Sequence, residues 1–94
     1  WQDRIDLSHK KGMDPLIQPT MERWFTEGFR NKGTPEARAI ADMIATTSVN
    51  GYAGCAAAIQ GLSYLDELGK ISGIPVLFIA GAQDAGTPPA GTCP

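Results

Sequence analysis

The run Pro75-Val76-Leu77-Phe78-Ile79-Ala80-Gly81 constrains this chain more than any other feature, because nothing polar interrupts it between the proline and the glycine. A strand with one wet face alternates apolar and polar residues. A run apolar on both faces reads as a strand of a parallel sheet covered on both sides by helices. A lone strand cannot satisfy its own backbone N–H and C=O groups, and the chain has almost no other strand to pair with this one. The expected fold is therefore mainly α with one or few β-strands, an excerpt of a larger architecture. A ribbon coiled as a helix, or lying solvated with nothing beside it, contradicts that expectation.

The remaining residues carry helical spacing. Residues 1–11 place Trp1, Ile5 and Ser8 on one side, and Gly12 supplies a left-handed stop. A second helix is expected from Asp14, as cap before Pro15, to about Phe25. Pro19 falls inside it and leaves a start at Thr20 open as an alternative. Met21, Trp24, Phe25 and Phe29 form an apolar stripe at three- and four-residue spacing. Thr34-Pro35-Glu36 is a cap, a first-turn proline and an acid at the positive end of a third helix, with Ala37, Ile40, Ala41 and Ile44 inward. A fourth helix runs from Asn50 or Gly51 through Gln60. Leu65, Leu68 and Ile71 read as a short helical or turn-like lead-in to the ribbon.

Charge and cysteine usage exclude several classes. A formal net charge of −2 gives no footprint for nucleic acid or anionic membrane. No apolar run approaches the roughly 20 residues of a membrane helix. The charged start WQDRIDLSHKKG does not read as a signal peptide. No methionine precedes Trp1, and the chain is expected to begin inside a longer gene product. Two cysteines, Cys55 and Cys93, fit no zinc or redox spacing. Cys55 reads as a small buried thiol among alanines, Cys93 as part of a terminal tail. A reducing, cytoplasmic setting is the expectation, with no metal and no cofactor.

Few residues are equipped for chemistry. In open parallel sheets, functional groups gather beyond the carboxyl ends of strands. Gly81 is expected to let the chain turn sharply there, with Asp84 in the loop that follows. A carboxylate so placed can orient a histidine serving as general base; equally, it can do no more than cap the turn. Ser63 in Gly61-Leu62-Ser63-Tyr64-Leu65 lacks the second glycine and the preceding strand of a nucleophile elbow. His9, the only histidine, lies among charges and reads as a solvated surface residue. On its own residues the chain offers at most one member of a catalytic set.

The pattern I-x-x-x-P-V-L-F-I-A-G-x-x-D-x-x-x-P resembles the part of α/β-hydrolases in which a helical cap precedes the strand carrying the triad acid. Further stretches resemble the 3-oxoadipate enol-lactonase family: Trp1 with Arg4, Lys11-Gly12-Met13, Glu22-Arg23-Trp24-Phe25-Thr26, and Gly51-Tyr52-Ala53-Gly54-Cys55 with Ala58-Ile59. The resemblance implies a helical cap over residues 1–70 and, over 71–94, the strand and acid loop of an incomplete hydrolase core. By the same resemblance Asp84 matches the acid of a Ser-His-Asp triad. Trp24 matches a cap tryptophan that faces the substrate, against the plainer reading of cap core. Ser63 stands where such enzymes often carry an aspartate, and the family pattern breaks off after Ala90. Serine, oxyanion hole and histidine are expected outside this chain, which is then inactive alone.

The implied parent is a serine hydrolase that opens a small enol-lactone in aromatic-compound degradation. Its partners are a small-molecule lactone and the remainder of the hydrolase core. Another capped α/β-hydrolase, such as a haloperoxidase-like esterase, is the alternative within the class. A stand-alone helical module using the Met21, Trp24, Phe25 and Phe29 stripe as a partner groove is the alternative outside it.

Overall fold

A computed structural model describes residues 1–92, and the Cys93 reading lies outside the described residues. Helices α1 (Gln2–Lys11), α2 (Asp14–Trp24), α3 (Glu27–Asn31), α4 (Pro35–Thr46) and α5 (Val49–Gln60) come first. A 3₁₀ segment, Leu65–Lys70, and a single turn α6, Pro89–Thr92, complete the order. The chain is mainly helical, as expected.

Helix α1 ends where sequence placed its stop. Gly12 has φ 77° and ψ −162°, a positive-φ region that is essentially reserved for glycine although it is not the left-handed helical one. Ser8, 1% exposed, donates its hydroxyl proton to the Ile5 carbonyl at 2.7 Å. A hydroxyl can be buried there because its donor is satisfied. Helix α2 passes straight through Pro19, so the alternative start at Thr20 is not taken. Its cap position falls on Met13, without a side-chain hydrogen bond, and Asp14 is already inside the first turn. Thr34 caps α4 as expected, accepting from Ala37 N–H at 3.3 Å. Helix α5 starts slightly earlier than expected, because Ser48 accepts from Gly51 N–H at 2.9 Å.

The apolar stripe does not continue as one helix. Phe25 is extended (φ −129°, ψ 145°), and Thr26 caps the separate helix α3 by accepting from Phe29 N–H at 3.3 Å. Met21 joins the core, and the rings of Phe25 and Phe29 pack 5.0 Å apart against it. The stripe is thus largely spent on internal packing, and only Trp24 of the four is left open, at 62% exposure. A partner groove made of all four residues is not formed.

Two clusters hold the helices together. Met13, Leu16, Met21, Ala37 and Ile44 join α2 to α4, with Leu7, Ile40 and Val49 packed around them. Ile5 of α1 meets Ala53 and Ala56 of α5, whose small side chains let the two helices approach. Cys55 is exposed, correcting the expectation of a buried thiol. Two residues along a helix from Ala53 is about 200° around the axis, which turns Cys55 away from α1. Leu16, 3% exposed, is central to the first cluster. Leu16→Ala is expected to cost about 2–5 kcal/mol, read as a lower denaturant midpoint in the helical signal of the chain.

The ribbon is where expectation and structure part. Residues 76–80 form no strand, and no strand exists among the described residues. Every residue of 61–79 is exposed, with Leu77 at 82% and Ile79 at 83%. The ribbon lies solvated with no strand beside it, the outcome named above as contradicting the expected strand. Strand geometry needs a neighbour for its N–H and C=O groups, and no other segment of the described chain is extended beside it. The expected lead-in does form, as the 3₁₀ segment Leu65–Lys70. Gly73 (φ 72°) makes the bend ahead of Ile74. The consequence is an open shape: the radius of gyration is 16.1 Å, against about 12 Å for a compact domain of this length.

Candidate functional site

After the ribbon the chain folds back toward the helices. Asp84 N–H donates to the Gly81 carbonyl at 3.1 Å, closing a tight turn. Gly81 is not at positive φ, and a Cβ added there meets Asp84 Cβ at 3.6 Å, an ordinary contact. The sharp turn expected of Gly81 therefore draws on no conformation special to glycine. The Asp84 carboxylate organises the chain as far as Thr87. Its Oδ1 accepts from Gly86 N–H at 2.8 Å and Thr87 N–H at 2.9 Å, and its Oδ2 accepts from the Thr87 hydroxyl at 2.8 Å.

These donors favour the charged form. The Thr87 N–H and hydroxyl, then the Gly86 N–H, hold the Asp84 carboxyl below its ordinary value, against a small opposing effect of desolvation. A folded-state pKa below the unfolded one adds stability that is complete above the unfolded value, about 3.9. That contribution is lost as pH falls through the folded value. The turn is accordingly intact with Asp84 ionised at neutral pH.

Asp84, Gly86 and Thr87 line a cavity of about 580 Å³ whose other walls come from the helices. Trp1, which precedes α1, Arg4 of α1, Thr20, Arg23 and Trp24 of α2, and Tyr52 of α5 contribute the walls nearest in chemistry to a binding site. Arg4 stacks on Trp1, with its guanidinium carbon 4.7 Å from the ring centroid, within cation–π reach. An Arg23 N–H donates to Thr20 Oγ1 at 3.0 Å. A second hollow, bounded by Arg23 to Thr26 on one side and Gly81 to Asp84 on the other, shows the acid loop lying along the end of α2.

Asp84 and Trp24, singled out from sequence sixty residues apart, thus face one cavity. Trp24 belongs to its wall and is not packed into the helical core. His9 and Ser63 are exposed and lie outside it. Arg4 and Arg23 were visible in the sequence only as members of motif blocks. Their convergence depends on α1 packing against α2, which no local spacing encodes. Among the described residues, no serine, cysteine or histidine lines the cavity. Among the described residues no three His, Cys, Asp or Glu side chains gather as a metal site, and no helix is long and apolar enough to cross a membrane. An aromatic-walled hollow lined by Arg4, Arg23 and Asp84 can hold a small molecule that carries a negative charge.

No family model matches the chain, and no solved structure matches it. Two curated proteins of Acinetobacter baylyi do. One, 3-oxoadipate enol-lactonase 2, is 39% identical over 84 residues, which is 89% of this chain and 31% of that protein. The other, 3-oxoadipate enol-lactonase 1, is 32% identical over 84 residues with the same coverage. The chain is similar to enol-lactonases over most of its own length and spans about a third of theirs.

Proposed function

We propose that this chain is the cap and acid-bearing portion of a serine hydrolase that opens a small enol-lactone. The observation that carries the reading is the meeting of Asp84, Trp24 and two arginines in one cavity, in a chain whose curated relatives are named enol-lactonases. Residues 1–70 form the cap, and 71–94 belong to the core. Residues 76–80, apolar on both faces and solvated here, become a strand when the remaining core supplies neighbours for them.

In that protein Asp84 holds a histidine in the tautomer that takes the serine proton, and stabilises the imidazolium that forms. The serine attacks the ring carbonyl, and backbone N–H groups hold the oxyanion. The chain's own His9 and Ser63 lie outside the cavity, and the isolated chain is expected to be inactive. Trp24 supplies a flat wall that excludes water beside the ring. An enol-lactone made from a diacid consumes one carboxyl group and leaves the other free. Arg4 and Arg23 are the cations among the described residues that line the cavity and are suited to that remaining carboxylate. The pathway is degradation of aromatic compounds, and no cofactor takes part.

A substrate panel tests the reading in the complete reading frame that contains this chain. Carboxylate-bearing enol-lactones are expected to be opened faster than neutral lactones or simple esters. Arg23→Gln is expected to raise KM for the anionic lactone about tenfold, the scale of one charge-assisted hydrogen bond, and to leave a neutral lactone unaffected. Preference for simple esters, with no response to Arg23, would instead favour a general esterase.

A further inference from the structure

We propose that Thr87 is the positioning residue of the acid, its hydroxyl fixing Asp84 Oδ2 so that the carboxylate offers one remaining place to an imidazole N–H. The inference rests on the reading of Asp84 as the acid of a triad. An ionised carboxylate has about four acceptor positions, two on each oxygen. Gly86 N–H and Thr87 N–H fill both positions on Oδ1. The Thr87 hydroxyl takes one on Oδ2. The fourth is also on Oδ2, and Asp84 borders the cavity.

The three donors do different work. The two backbone N–H groups anchor Oδ1 whatever the side chain at 86 or 87. They leave Oδ2 free to swing about that anchor. The hydroxyl, at 2.8 Å, removes the swing and makes the second oxygen an equally short acceptor. It also withdraws charge from the oxygen that a histidine must share and so lowers the basicity of that oxygen. Serine keeps this donor; valine keeps the shape of threonine and loses it. Because residue 87 is exposed in this chain and belongs to neither helical cluster, neither change disturbs the packing of its helices.

Two readouts separate positioning from mere structure. In the 94-residue chain, the Asp84 carboxyl titration is followed by ¹³C NMR. Thr87→Val is expected to move it upward toward the ordinary aspartate range, and Thr87→Ser to leave it depressed. In the complete reading frame, Thr87→Val is expected to lower kcat about tenfold with KM unchanged. It is also expected to move the acidic limb of the kcat profile upward, because a more basic carboxylate raises the pKa of its histidine. Thr87→Ser is expected to restore kcat to within about twofold. A Thr87→Val protein that titrates and turns over like the wild type, while Asp84→Asn abolishes turnover, overturns the role of Thr87 alone. Unchanged turnover in Asp84→Asn overturns the triad reading beneath it.

Discussion

Asp84→Asn, in the complete reading frame, is expected to lower kcat about 10⁴-fold, the scale seen when a triad acid is replaced by its amide, with little change in KM. The amide keeps the size of the carboxylate and can still accept from Gly86 and Thr87 through its oxygen. It loses the charge that stabilises an imidazolium, and it can present N–H where the histidine needs an acceptor. Substrate contacts from Trp24 and the arginines remain, which is why the loss falls on turnover. Steady-state kinetics on the anionic lactone checks this. A fall of less than tenfold would reduce Asp84 to a turn cap, the other role its hydrogen bonds allow.

The second large effect lies in the ribbon and depends on context. Ile79 is 83% exposed in this chain, so Ile79→Asp is expected to change the unfolding free energy of the isolated helices by no more than about 0.5 kcal/mol. In the complete protein the same substitution puts an unpaired carboxylate into a sheet covered on both faces. It is expected to cost more than about 4 kcal/mol there and to leave little folded material. Denaturation of both proteins, side by side, measures the contrast. Equal tolerance in the two would mean that the ribbon stays in water and that no sheet receives it.

Local signals in the sequence were legible where the physics is local. Thr34-Pro35-Glu36 announced α4, and Gly12 the end of α1, because caps and positive φ depend on a few adjacent atoms. Thr26-Glu27 carried the same kind of signal for α3, yet the apolar spacing of Trp24, Phe25 and Phe29 masked it. The ribbon is the opposite case. Its composition describes a buried environment, and this chain does not provide one, so a correct reading of its preference became a wrong expectation for its conformation. Strand formation is a property of a pair, and sequence shows only one member. The cavity falls between these extremes. Asp84 came from its place after the ribbon and from resemblance, and Trp24 from resemblance, while Arg23 beside them needed the packing of α1 on α2 before it could be placed with Arg4.

The most direct measurement is a crystal structure of the complete reading frame, read at the Asp84 carboxylate. The expected result is residues 76–80 hydrogen-bonded between neighbouring strands and a histidine nitrogen about 2.6–3.2 Å from Oδ2. An Asp84 that meets only Gly86 and Thr87, below a ribbon still in solvent, would contradict the assignment of this chain to a hydrolase core.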